Sequence, residues 1–323
     1  MYFPVAGIEV NPLVPPLVAF VISLFTSMGG VSGAFLLLPF QVSILGFTSP
    51  AVSSTNQLFN IVAIPSGVYR YIKEGRMVWP LTWIVIIGTL PGVLVGAIVR
   101  IKYLPDPRNF KLFVGLVLLY IGGRLLKDLF FTKKKTDTPS TEERFHQQRK
   151  NQPQTKETNA SAPGEHLSRV TVQQWTFSRI VYDFCGETFV VNAFGVMALS
   201  LIVGLVGGIY GIGGGSIIAP FFVSFFGLPI YTVAGAALMG TFVTSVAGVI
   251  FYQILAPYYP GMVIAPDWLL GFLFGIGGFA GMYCGARLQK FVPARFIKWI
   301  LVVCLLFTAV KYIWPFLVQM VHP

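Results

Sequence analysis

Charged side chains are scarce in this chain of 323 residues: 11% are Asp, Glu, Lys or Arg, while 55% are hydrophobic. Long apolar stretches therefore run almost without charges, which excludes a soluble domain and predicts an all-α polytopic membrane protein. The net charge of +11 does not indicate a nucleic-acid partner. Lys and Arg cluster at the ends of apolar stretches, where they orient membrane proteins, so the expected partner is the lipid bilayer.

Aspartate, glutamate and histidine are also missing from the interior of the apolar stretches. Glu9, Asp128 and Asp267 lie at their ends, and the three His residues lie in loops or at the C-terminus. Because proton relays through membranes use buried ionisable groups, no built-in proton carrier is evident. The three cysteines have neither paired nor metal-ligand spacing, and no set of residues indicates catalysis. We therefore expect no enzyme, no cofactor and no metal site.

Two glycine-rich motifs interrupt the apolar sequence 181 residues apart. Residues 29–40 read GGVSGAFLLLPF, and residues 210–221 read YGIGGGSIIAPF, so that Gly30 aligns with Gly211 and Gly33 with Gly214. Paired helix breaks in corresponding halves of a membrane protein indicate the binding site of a transporter.

The apolar stretches themselves predict two internal repeats, over residues 1–130 and 191–323. Six of them are long enough to span a bilayer, and the other four form two pairs, each divided by a glycine motif. The second member of each pair covers about 21 Å of helix, which is too short to cross alone. Each repeat contains a stripe of small residues. We predict that these stripes pack helices together rather than contact the substrate. They are Gly88, Gly92, Gly96 and Gly277, Gly281, Gly285. The apolar stretches are 13–28, 33–47, 51–71, 79–99, 110–130, 192–209, 215–228, 231–255, 268–288 and 296–316.

Residues 131–190 form a predicted insert between the two repeats. It opens with three lysines and continues as a polar stretch typical of a flexible linker. From Val170 the apolar residues alternate, with a turn signal at Cys185-Gly186, which indicates a small β-hairpin. An irregular amphipathic tether is the alternative.

The charges distinguish two topologies. If each broken pair crosses the membrane once, the repeats are parallel; if each pair is re-entrant, the repeats are inverted. The inverted arrangement places 18 Lys and Arg residues on one side and 5 on the other, whereas the parallel arrangement gives 15 and 8. Because cytoplasmic loops collect basic residues, we favour inverted repeats, with the insert inside and both termini outside.

The broken helices point to anion binding. A helix that begins inside a membrane presents unsatisfied N–H groups and about half a positive charge at its tip. Two such tips suit a small oxyanion without a buried Lys or Arg. Amide and hydroxyl groups of the third apolar stretch and its counterpart would assist, although interhelical hydrogen bonding is the alternative for these. The candidate substrate-binding residues are Gly30, Gly33, Ala34, Phe35, Asn56, Gln57, Gly211, Gly213, Gly214, Gly215, Ser216 and Thr241.

At these motifs the chain resembles the TauE/SafE family of sulfite exporters and toluene-sulfonate-uptake permeases. The resemblance rests on Gly211-Ile212-Gly213-Gly214-Gly215 through Pro220, its counterpart from Gly29 to Pro39, the repeat and the Gly-Ala helix ends at 96–97 and 285–286. The first copy departs from the pattern, with Ser32 and Ala34 where the second has Gly213 and Gly215.

The resemblance implies transport of small sulfur oxyanions or organic anions across the plasma membrane of a prokaryote. We predict export of sulfite by alternating access, because the membrane potential favours the exit of an anion. Uptake of a sulfonate or carboxylate is one alternative. A membrane scaffold or signalling protein with the insert as its docking element is another. The oligomeric state stays open.

Overall fold

The computed structural model describes residues 1–28, 31–131, 169–176, 178–288 and 294–321. It is mostly helical, as the sequence predicts. The first half contains α1 (Val14–Met28), α2 (Ala34–Ser43), α3 (Ala51–Lys73), α4 (Trp79–Lys102) and α5 (Pro107–Phe131). The second half contains α6 (Ala193–Tyr210), α7 (Ile218–Phe226), α8 (Ile230–Leu255), a 3-10 turn (Ala256–Tyr258), α9 (Trp268–Leu288) and α10 (Ala294–Val321). A short antiparallel ribbon, β1 (Tyr2–Phe3) and β2 (Ile8–Glu9), precedes α1.

Among the described residues, six helices are long and apolar enough to cross a membrane: α4, α5, α6, α8, α9 and α10. The expected polytopic membrane protein is confirmed, but the six differ in one member from the six long stretches of the sequence. Helix α3 has 23 residues and is not among them, since polar side chains fill its first half. Every residue from 51 to 60 is buried, so other helices, not lipid, surround this polar segment.

Glycine stripes bring pairs of helices from opposite halves into backbone contact. A Cβ atom added at Gly92 of α4 would lie 2.5 Å from the carbonyl oxygen of Leu201 in α6. One added at Gly281 of α9 would lie 2.4 Å from the carbonyl oxygen of Phe20 in α1. Both stripes therefore serve helix packing, as the sequence predicts. The first helix of each half thus packs against the fourth helix of the other half.

The contacts also give the direction of each helix. In α3 and α8, Gln57 faces Gly248 and Tyr71 faces Gly235, so these helices run antiparallel. Helices α1 and α3 both run parallel to α9, because their residue numbers rise together along the shared contacts. These contacts are Gly277 with Pro16, Gly285 with Leu24, Gly271 with Leu58 and Gly275 with Val62. Since α1 and α3 have the same direction, the chain turns back between them, through α2.

Helices α6 and α8 both run parallel to α4. The contacts run in one direction along all three helices: Gly88 with Ser200, Gly96 with Leu205, Gly235 with Met77 and Gly240 with Val85. The chain therefore turns back between α6 and α8 as well, through α7. The directions of all these helices are those that re-entrant pairs require.

The insert contains an antiparallel sheet of three strands, β3 (Thr171–Trp175), β4 (Arg179–Phe184) and β5 (Glu187–Asn192), in that order. The predicted hairpin is formed by β4 and β5. Its two-residue turn has positive φ at Cys185 (53°) and Gly186 (77°), as a tight hairpin requires. The sequence analysis did not separate β3, whose alternation is interrupted by a bulge between Val172 and Gln174. Phe177 lies outside the described residues.

The sheet is anchored to the helices at two places. The Val170 N–H donates to the carbonyl oxygen of Gly75, between α3 and α4, at 2.9 Å. The Tyr182 hydroxyl lies 3.0 Å from the Thr232 hydroxyl at the start of α8. Burial raises the pKa of Tyr182 to about 12, against the opposing effect of this hydrogen bond, so the phenol stays protonated at neutral pH. The insert therefore joins the α3–α4 connection to the beginning of α8.

Substitution of Gly92 tests the close approach of α4 and α6. Gly92→Ala should lower the free energy of unfolding by about 1–3 kcal/mol, because the new Cβ forces two backbones apart. Gly123→Ala is the matched control on α5, since a Cβ added there meets nothing within 4 Å. Thermal unfolding of both variants in detergent makes the comparison. Equal midpoints would contradict the packing described above.

Candidate functional site

Asn56 of α3 connects the two glycine motifs. Its amide nitrogen donates to the carbonyl oxygens of Ala34 and Gly211, each at 3.0 Å, and its oxygen accepts from the Gln41 amide at 3.2 Å. One fully buried side chain therefore holds the beginning of α2 against the end of α6. The Tyr210 hydroxyl adds a second connection between the motifs, a 2.8 Å hydrogen bond to the Phe35 carbonyl oxygen.

Asn60, one turn further along α3, repeats this arrangement. Its amide nitrogen donates to the Ile212 carbonyl oxygen at 2.9 Å and to the Ser245 hydroxyl at 3.2 Å. Its oxygen accepts from the Ser32 hydroxyl at 2.5 Å. Both asparagines thus use their hydrogen-bonding groups within the protein, where they satisfy backbone at the helix breaks. For Asn56, a predicted substrate ligand, the geometry favours the structural role.

The second glycine motif is packed tightly against α3, α4 and α8. Gly211 and Gly213 both have φ of +80°, which side-chain-bearing residues rarely adopt. A Cβ added at Gly211 would lie 2.3 Å from the Ser53 Cβ in α3, and one at Gly215 would lie 2.1 Å from the Ala237 carbonyl oxygen in α8. The missing side chains therefore let α3 and α8 approach this loop. Two other predicted residues are packed in the same way: Gly214 against Thr89 and Gly33 against Ser23.

The broken helices keep N–H groups open next to these contacts. The Ala34 N–H donates to the Ser32 hydroxyl at 3.2 Å, and the Gly214 N–H donates to the Thr244 hydroxyl at 3.0 Å. The next N–H in each segment, from Phe35 and from Gly215, donates to no described residue. Open N–H groups at the start of a helix attract anions.

Gln57 of α3 differs from the two asparagines in its hydrogen bonding. It is fully buried, and neither its oxygen nor its nitrogen has a hydrogen-bond partner among the described residues. It packs against Gly248 of α8, where an added Cβ would lie 2.0 Å from its oxygen. An unsatisfied buried amide costs about 1–3 kcal/mol, so a ligand that supplies the missing partner would be favoured here.

A comparison of positions 181 residues apart shows what is special about Gln57. Its counterpart is Leu238, which packs against Gly67: a Cβ added at Gly67 would lie 3.4 Å from the Leu238 Cδ1. The second half thus fills the equivalent space with an apolar side chain of similar size. An amide at this place in the first half is therefore not needed for packing.

Gln41 is a residue that the sequence analysis missed. It is fully buried in α2; its nitrogen donates to Asn56, and its oxygen has no partner among the described residues. The signal was present, since Gln41 is the only amide in α2, where every other residue before Ser43 is apolar, and its counterpart is Phe222.

The hydroxyl groups of two predicted substrate ligands donate hydrogen bonds to backbone carbonyl groups. Thr241 donates to the Ala237 carbonyl oxygen at 2.8 Å, and Ser216 donates to the Ile212 carbonyl oxygen. Because each hydroxyl hydrogen is already donated, these oxygens can only accept hydrogen bonds, whereas an anion needs donors. Gly30 lies outside the described residues. Within the described ranges, no group of three or more His, Cys, Asp or Glu side chains that could hold a metal ion comes together.

The two amides of α3 should respond in opposite ways to the same substitution. Asn56→Leu should lower the free energy of unfolding by about 2 kcal/mol or more, because two buried carbonyl groups lose their donor. Gln57→Leu should leave stability unchanged or raise it by about 1 kcal/mol, because an unpaired amide is removed. Thermal unfolding in detergent measures both. An equal loss in the two variants would show that Gln57 has a structural partner.

The comparisons with known proteins agree with this architecture. The sequence profile described as "Sulfite exporter TauE/SafE" matches residues 16–312, nearly the whole chain. No curated protein and no solved structure matches the chain. The match includes both glycine motifs and at least the greater part of each apolar helix, so the resemblance seen in the motifs is confirmed. The chain belongs to the TauE/SafE sulfite exporter family of membrane transporters.

Proposed function

We propose that this protein exports a small sulfur oxyanion, sulfite first of all, across the plasma membrane of a prokaryotic cell. The observation that carries the proposal is the uncharged polar cluster between the two broken helices. Its polar groups are the N–H groups of Phe35 and Gly215, which have no partner among the described residues, and the unpaired amide of Gln57, which packs against Gly248. A bound anion would accept hydrogen bonds from both kinds of donor.

The absence of charged residues around this cluster affects how readily the substrate is released. Helices α2, α7 and α8 contain no charged residue, and α3 contains none before Arg70. A transported anion must leave its site as readily as it enters. Neutral donors and helix dipoles attract an anion less strongly than a buried Lys or Arg, whose unpaired charge would in addition be costly inside the membrane. Neutral donors therefore suit a site that releases its substrate.

Alternating access is proposed on the basis of two inverted repeats. The opposite directions of α3 and α8, and the turn of the chain within each broken pair, support this topology. The amides lie on α3, whereas the glycine loop that they contact belongs to the second half. A movement of one half against the other would therefore change the distance between Gln57 and the open N–H of Gly215.

The proposed orientation follows from the charges. The connection of α3 to α4, strands β3 to β5 and the start of α8 share one side. In the inverted arrangement this side carries 18 Lys and Arg residues against 5 on the other. We assign this side to the cytoplasm. A negative cytoplasm then favours outward movement of an anion by about 2.3 kcal/mol per charge per 100 mV.

Flux of radiolabelled sulfite in proteoliposomes tests the proposal. Wild-type protein should carry sulfite, and Gln57→Leu should reduce the flux about tenfold or more, as expected for one lost hydrogen bond to a charged group. Gln174→Leu, on the exposed strand β3, is the matched control and should leave the flux unchanged. Competition with a sulfonate and a carboxylate identifies the preferred anion. If folded protein carried no sulfur oxyanion or sulfonate, the proposal would be wrong.

The membrane potential provides a second test. With valinomycin and a potassium gradient, 100 mV should change the final distribution of a transported monoanion about fifty-fold, because the potential acts on its charge. Radiolabelled sulfite retained at equilibrium measures this distribution. A distribution that follows an imposed pH gradient and ignores the potential would mean that transport is coupled to protons.

A further inference from the structure

An apolar groove of about 510 Å³ lies between α5, α6 and α7, away from the polar cluster. Its walls include Leu116 and Tyr120 of α5, Ile202 and Val206 of α6, Phe221 of α7, and Ile217, which directly precedes α7. The groove has a simple origin. Helix α7 has nine residues, about 13.5 Å of helix, and cannot fill the space between two helices that each cross a bilayer of about 30 Å.

A basic residue stands at one end of this groove. The Arg124 guanidinium lies 4.2 Å from the ring centre of Phe225, which lines the groove and stacks on Phe221. Arg124 is one helical turn beyond Tyr120, which also stacks on Phe221. The Nε of Arg124 is buried and has no hydrogen-bond partner among the described residues. This cation is therefore placed to accept an anionic group at the groove mouth.

The charge of the following residues favours the same kind of ligand. Residues 124–135 carry five basic side chains and one acidic side chain, directly after the apolar part of α5. Basic segments next to a membrane helix attract acidic lipids by roughly 1 kcal/mol per Lys or Arg. Hydrocarbon walls and a cation at one end together match an acyl chain attached to a phosphate.

We propose that this groove binds an acidic phospholipid, with an acyl chain between α5 and α6 and its phosphate at Arg124. The lipid would contact Ile217, the residue that precedes the first turn of α7, and would hold this half-helix in place. The proposal does not depend on which anion the protein carries, because it concerns a different site and a different ligand.

A photoactivatable phospholipid with a diazirine in its acyl chain tests the site in the full-length protein. In vesicles of phosphatidylcholine with the phosphatidylglycerol form of the probe, adducts should concentrate on Leu116 and Tyr120. Leu119, which is also exposed on α5 but does not line the groove, is the internal control. Equal labelling of Leu119 and Leu116, as for ordinary annular lipid, would overturn the proposal.

The headgroup is tested by competition and by one substitution. Unlabelled phosphatidylglycerol should displace the probe at a lower concentration than phosphatidylcholine does. Arg124→Gln should reduce this preference about fivefold, the factor expected for one basic residue at a membrane surface. Arg108→Gln, at the opposite end of α5, is the matched control and should leave the preference unchanged. Equal competition by the two lipids, or an unchanged preference in Arg124→Gln, would overturn the assignment of the phosphate to Arg124.

Discussion

Backbone groups at the helix breaks need hydrogen-bond partners inside a membrane, where water is not available to supply them. Helix α3 meets this need, because Asn56 and Asn60 donate to carbonyl groups of both glycine motifs. Several other features depend on this interaction. It makes α3 polar, and a polar helix must be surrounded by protein rather than by lipid. It also draws the two motifs together, so that open N–H groups of both broken helices share one region.

The two halves contribute different parts to this region. The first half supplies the amides of Gln41, Asn56 and Gln57, whose counterparts 181 residues later are Phe222, Ala237 and Leu238. The second half supplies the extra glycines, Gly213 and Gly215, in place of Ser32 and Ala34. These differences are complementary, since a loop without side chains can approach a helix that carries long polar ones. An internal repeat, as proposed for this chain, allows this difference, because one copy can lose a group that the other copy still provides.

Small residues determine how the halves fit together. Glycine stripes bring α4 against α6 and α9 against α1, so that each half is packed on the other through backbone contacts. The missing side chains let the backbones of the paired helices approach closely. The short half-helix α7 is held less closely on its outer side, where the apolar groove separates it from α5. The groove thus borders the half-helix that follows the second glycine motif.

The sequence by itself determined the class of the protein, the positions of the breaks and the residues that permit close packing. Hydrophobicity, helix length and glycine spacing are local properties, and for this reason the small-residue stripes and the turn at Cys185-Gly186 were predicted correctly. The directions of the helices follow from contacts between segments that are distant in sequence. The counts of charged residues by themselves only favoured the inverted arrangement. Only the tertiary structure separated Asn56, which is satisfied by backbone, from Gln57, which is not. The two residues are adjacent in sequence and chemically alike, but on a helix they face different neighbours.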